Sequence, residues 1–272
     1  MIRIMVMALA MMTSAHSFAD GRWFEIEVMV FTQPADGSTE TLRNDEVELD
    51  NYGFDKDLLT PAYLATLGEH CLNGDIAPPN RNAPAFTMFT DNSAAQSKDC
   101  SFAVEDLAGQ SPLPSELIVP EQEHTDTPYL LSPSQLQFTD KRAELKRKGR
   151  HVLLHSGWRF PGQAKRQAPR YRLFAGSAVA LDAQEQNVAS PSPFFSSKEV
   201  VYDPIWELDG FLKVHLNHYL YITSNLITRH TGDTDSQVSA EFSQFRRVIS
   251  GEIHYFDHPQ IGMLVQIRRF NH

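Results

Sequence analysis

The chain has 272 residues and only two cysteines, Cys71 and Cys100. It therefore carries no Cys-x-x-Cys redox motif, and two lone thiols cannot supply the paired spacing of a structural zinc site. It has no apolar run near the ~18 residues that a membrane helix needs. No Gly-x-Ser-x-Gly elbow, Ser-x-x-Lys, His-Glu-x-x-His, P-loop or Gly-x-Gly-x-x-Gly occurs, so the common hydrolytic and nucleotide-binding signatures are missing. Basic residues are scarce in one half. Positions 1–140 hold 6 Lys or Arg against 22 Asp or Glu, a net of −16, whereas 141–272 hold 18 against 12, a net of +6. The total of −10 argues against a dedicated nucleic-acid binder, which needs a basic excess to meet phosphates. Hydrophobic residues at 42% and aromatics at 10% are nevertheless enough for a packed core.

The first residues read as an export signal. Arg3 precedes a nine-residue apolar run, Ile4 to Met12, and Ser17-Phe18-Ala19 puts small residues at the −3 and −1 positions of a cleavage site. Cleavage after Ala19 leaves residues 20–272 as a single domain in the periplasm, without membrane insertion. In such an oxidising compartment Cys71 and Cys100 are expected to pair. The bridge closes a loop of about 30 residues, worth roughly 3.5 kcal/mol on the chain-entropy model.

The pattern predicts an α+β fold: a mainly antiparallel sheet, one clear helix, and a long Pro-rich, acidic, loop-rich insert over about 33–131. Residues 22–31 alternate, with Phe24, Ile26, Val28 and Val30 on one face and Trp23, Glu25, Glu27 and Met29 on the other. Nine of the 16 prolines lie between Pro61 and Pro133, which permits only short helices, at 55–69 and 114–119. Ser132, Pro133 and Gln135 form a capping-box start for the clear helix, and Gly149 is its stop. Strands follow at 151–158 and 171–181, then a Ser/Pro-rich loop at 182–204. Residues 206–228 are too long for one strand and imply two, with turns near Asp209-Gly210 and Asn217-His218. Two final strands, 245–256 and 263–270, flank a Gly/Pro loop.

Candidate chemistry is of two kinds. His254, Asp257 and His258 are the best metal-ligand set, although Asp-His-Pro also has turn chemistry, and no metal or cofactor is expected. His215 and His218, three apart on a strand, face opposite sides. A carbohydrate or carboxylate ligand calls instead for aromatic faces and planar cations. His155, Trp158 and Arg159 stand together on one strand end, before Lys165-Arg166, Arg170 and Arg172. Lys213, Tyr219 and Tyr221 share another face, and Arg268 and Arg269 close the last strand. His155, Trp158, Arg159, Lys213, Tyr219, Tyr221 and Arg268 are accordingly the candidate ligand-binding set. The alternative for each aromatic is ordinary sheet packing.

The blocks Arg22–Phe31, Leu131-Ser132-Pro133, Leu154–Arg159, Trp206–Gly210 leading to Tyr219-Leu220, and Gly251–Pro259 with Gly262 resemble, in order and spacing, the CsiV family of Gram-negative peptidoglycan-binding proteins. That resemblance implies a periplasmic, non-enzymatic protein that binds peptidoglycan. It further implies work beside a class A penicillin-binding protein, a bifunctional peptidoglycan synthase, and that enzyme's outer-membrane lipoprotein activator, in support of cell shape. It brings no catalytic or ligand residues with it. Two other readings stay open: a protein–protein adaptor that uses the acidic arm and binds no glycan, and a periplasmic hydrolase or metalloprotein built on His254, Asp257 and His258.

Overall fold

The computed structural model describes residues 21–33, 53–79, 99–179, 204–231 and 237–271. The expected export signal, most of the expected 182–204 loop, and parts of the Pro-rich stretch lie outside the described residues.

Two antiparallel sheets share one core. Strand β1 (Trp23–Thr32) is central in the first sheet. Its neighbours are β3 (Val152–Pro161) on one side and β9 (Ile261–Phe270) on the other. The two-residue β2 (Tyr129–Leu130) and β8 (Ile253–Asp257) form the edges. The second sheet is a meander of β4 (Arg170–Val179), β5 (Ile205–Asn217), β6 (Tyr219–Thr231) and β7 (Gln237–Val248). The inner faces meet: Ile26 and Val28 of β1, Trp158 of β3 and Val265 of β9 belong to the same buried cluster as Leu212, Ile222 and Phe242 of the second sheet. The amino-terminal strand thus pairs with the last strand of the chain, Trp23 opposite Phe270.

The described parts of the acidic insert are loop-rich but packed. Helix α1 (Leu59–Asn73) has the length the sequence pattern gave it, 15 residues, but starts and ends later than the expected 55–69. Asp57 starts it: its carboxylate accepts the Leu59 and Thr60 N–H groups at 3.0 and 2.9 Å, satisfying donors that have no partner inside the helix. Gly74, at φ 84°, ends it with N–H bonds back to the last turn. Leu59, Tyr63, Leu67 and Cys71 enter the core. Cys71 is bonded to Cys100, which ties α1 to the segment that follows. Residues 114–119 form no helix; Ser115 accepts a hydrogen bond from the His155 N–H and Glu116 bridges to β3.

The helix expected from Ser132 to Gly149 is broken. Ser132 and Gln135 do form the capping box, but only around a 3-10 turn, Pro133–Gln135. Leu136 is extended, and α2 runs from Thr139 to Arg147. The cause lies in β1. The Glu27 carboxylate takes the N–H groups of Gln137 and Phe138, at 2.8 and 2.7 Å, where a continuous helix would have bonded them internally.

Two strand boundaries also differ. Gly210 lies inside β5, opposite Leu226, and makes no turn. At φ 148° a Cβ there would come within 2.2 Å of the Asn225 carbonyl, so glycine permits close strand approach. The single turn of the 205–231 hairpin falls at His218, φ 53°. Residues 245–256 divide at 249–252, where Gly251 turns at φ 90°. The chain there leaves the second sheet, as β7, and enters the first, as β8.

Candidate functional site

The residues selected from sequence fall into three places. Trp158 stands opposite Ile26 on the inner face of the first sheet, 2% exposed, with its ring 5.2 Å from that of Tyr171. It packs the core between the sheets and offers no open face.

His155, Arg159 and Arg268 lie on the outer face of the first sheet, His155 and Arg268 beneath the 132–148 segment, where they meet Phe138 and Gln135. Alternation puts Glu25 and Glu27 of β1 on this face, and the antiparallel register places Glu25 between Arg159 and Arg268. Arg159 donates to Glu25 at 2.8 Å and to the Tyr129 hydroxyl at 2.6 Å, and its guanidinium sits 3.9 Å from the Phe270 ring centre. Glu27 is fully buried. It accepts from His155 Nε2 at 2.9 Å, from Arg268 Nη1 at 2.9 Å, and from the two backbone amides. Burial opposes its ionisation, but the bonds from His155, Gln137, Phe138 and Arg268 outweigh burial and hold its pKa below the usual value. The histidine and carboxylate are both enclosed, so this pairing ties the 132–148 segment to the sheet.

Lys213, Tyr219 and Tyr221 lie on the outer face of the second sheet, near the β5–β6 hairpin. Residues paired directly across antiparallel strands share a face. His215 opposes Tyr221, Tyr221 opposes Arg247, and Thr223 opposes both Lys213 and Phe245. The rings of His215, Tyr221 and Phe245 lie within 12° of parallel, with centres 5.2, 5.7 and 6.3 Å apart. Phe245 is 61% exposed and Tyr219 53%. Arg247 covers the Tyr219 ring at 4.6 Å, and Lys165 stands 5.9 Å from the Phe245 ring centre. The Lys165 loop is fixed to the hairpin by the Leu216 N–H, which donates to Gln163 O at 2.8 Å. Among the described residues no carboxylate makes an ion pair with Lys165, Lys213 or Arg247. Burial first, then the charges of Lys165 and Lys213, push His215 below its ordinary pKa of 6.5.

This third place joins what the other two separate: exposed aromatic surface and cations that form no ion pair among the described residues. Aromatic planes suit the C–H faces of sugar rings, and Lys and Arg suit carboxylates. Phe245 and Arg247 were not among the residues selected from sequence. Their signal was the alternation Phe245, Arg247 against Val248, which becomes informative only once β7 is known to pair with β6.

The other candidates lie apart. His254 Nε2 accepts the Ile249 N–H at 3.0 Å, and Asp257 accepts from Gln33 and the Tyr255 hydroxyl, both at 2.7 Å. The His258 ring packs edge-on to Phe242. Among the described residues no three His, Cys, Asp or Glu side chains gather as a metal site, and no helix is long and apolar enough to cross a membrane.

No curated protein and no solved structure matches the chain. A family match, described as "Peptidoglycan-binding protein, CsiV", covers residues 2–270. With nearly its whole length inside that match, the chain belongs to the CsiV family of peptidoglycan-binding proteins.

Proposed function

We propose that this chain is an exported, non-catalytic periplasmic protein that binds peptidoglycan through the outer face of the second sheet. The carrying observation is the coincidence there of three near-parallel rings with Lys165, Lys213 and Arg247. Peptidoglycan offers both matching chemistries, apolar sugar faces in its glycan and free carboxylates on its peptide stems. The family description supports the choice of polymer. Its role in the cell is to support wall synthesis and shape beside a class A penicillin-binding protein and that enzyme's outer-membrane lipoprotein activator, as the family resemblance implies.

The test is co-sedimentation of the mature chain with purified sacculi at low salt. The chain should pellet, and added salt should release part of it, because the contacts include exposed charges. Phe245→Ala combined with Lys213→Glu should weaken binding about tenfold or more, the size expected from losing one stacking face and reversing one charge. A chain that stays in the supernatant sinks the reading. Binding that survives the double substitution sinks the assignment of the face.

A further inference from the structure

We infer that a second surface, a groove between α1 and residues 118–130, docks an extended polypeptide carrying an apolar side chain flanked by Lys or Arg. The groove has a volume of about 290 Å³. Pro61, Ala62 and Ala65 of α1 form one wall; Ile118 and Pro120 form the other, with Tyr129 beside them. The two alanines leave the space that a larger side chain would fill. The prolines fix their backbone φ, so the walls are set before a ligand arrives. Ile118 is exposed at the rim, an apolar side chain held toward solvent.

The charge around the groove selects the occupant. No Lys or Arg occurs in 57–79 or in 99–140. Arg172 pairs with Asp57 and Arg142 with Glu116. Glu121, Glu123 and Asp126, exposed on the same segment as the Ile118 wall, make no ion pair among the described residues. An apolar slot walled by a segment that also carries three carboxylates in no ion pair among the described residues matches a basic segment with an apolar anchor and repels an acidic one. Residues 119–123 belong to no helix or strand and make no backbone–backbone hydrogen bond among the described residues, so their amides and carbonyls remain to receive an extended chain.

The experiment is fluorescence anisotropy of the mature chain with a labelled peptide, Lys-Lys-Leu-Pro-Leu-Lys-Lys. Two controls accompany it, one with Glu for every Lys and one with Ser-Gly-Ser at the centre. The first peptide should bind, more weakly as salt rises, and each control should bind at least about tenfold less well. Ala65→Trp, which fills the slot from an exposed helix position, should cost about tenfold. The exposed triple change Glu121→Lys, Glu123→Lys and Asp126→Lys should do the same. Both variants should still sediment with sacculi as the unaltered chain does. No binding of the first peptide, equal binding of either control, or indifference to Ala65→Trp overturns the assignment, whatever the sacculus result.

Discussion

The buried carboxylate of Glu27 is the sharpest point at which to test this structure. Changing Glu27 to Gln keeps the shape and removes the charge. Glu27 accepts from four groups, the amides of Gln137 and Phe138, His155 Nε2 and Arg268 Nη1. A glutamine has one acceptor oxygen, and its NH2 points a donor at donors. Removing one partner from a buried charged pair costs about 3–5 kcal/mol, because the other groups stay buried and unpaired. For a domain of this size that lowers the melting temperature by roughly 6–20 °C. The loss should localise: amide exchange at Gln137 and Phe138 should accelerate before exchange in β1 does. Acid supplies an independent check. The folded carboxyl titrates below its usual 4.5, so its contribution is complete above that value and is lost as pH falls through the lower folded pKa. The stability gap between parent and variant should therefore be flat near neutrality and should narrow below about pH 4. A gap under about 1 kcal/mol at pH 7, or one that widens in acid, would refute the reasoning.

Two further outcomes follow from particular contacts. The denatured, unreduced protein should show no free thiol, and Cys71→Ala with Cys100→Ala should lower stability by about 3.5 kcal/mol, since the bridge closes a long loop and Cys71 is buried; two titratable thiols would contradict the pairing. His215 should titrate by NMR below 6.5, and Lys213→Met should move its midpoint upward; an unmoved midpoint would show that the lysine charge does not reach the imidazole.

Much of the framework was legible because alternation carries it. Residues 22–31 read as a strand and are one, and 151–158, 171–181 and the 217–218 turn fell close to their true places. The errors share a cause, in that a long-range partner overrode a local signal. The Ser132 capping box is real, yet Glu27, more than a hundred positions away, takes the amides that would continue the helix. Asp209-Gly210 has the composition of a turn, but Gly210 serves a close strand crossing. Helix α1 was placed too early: Asp57 caps its true start, and Pro61 sits in its first turn, where a missing N–H costs nothing. Among the candidate ligands, period-2 logic placed Lys213, Tyr219 and Tyr221 on one face correctly. It could not show that the Trp158 face turns inward, or that the other face of the same strand lies beneath the 132–148 segment.

The unequal distribution of charge acquires a physical sense from these contacts. Asp55 and Asp57, from the acidic half, pair with Arg170 and Arg172 at the edge of the second sheet. Glu25 and Glu27 absorb Arg159 and Arg268. The basic excess of the second half is thus largely spent within the fold, and Lys165, Lys213 and Arg247 are what remains beside the exposed rings. Likewise Glu121, Glu123 and Asp126, on the segment that walls the groove, make no ion pair among the described residues. Exposed charges more than about 8 Å apart are screened from one another at physiological salt. Each surface therefore acts by its own residues and not by the net charge of −10. An acidic protein can in this way present a cationic, aromatic face to a carboxylate-bearing polymer and keep an anionic, apolar slot for a basic chain.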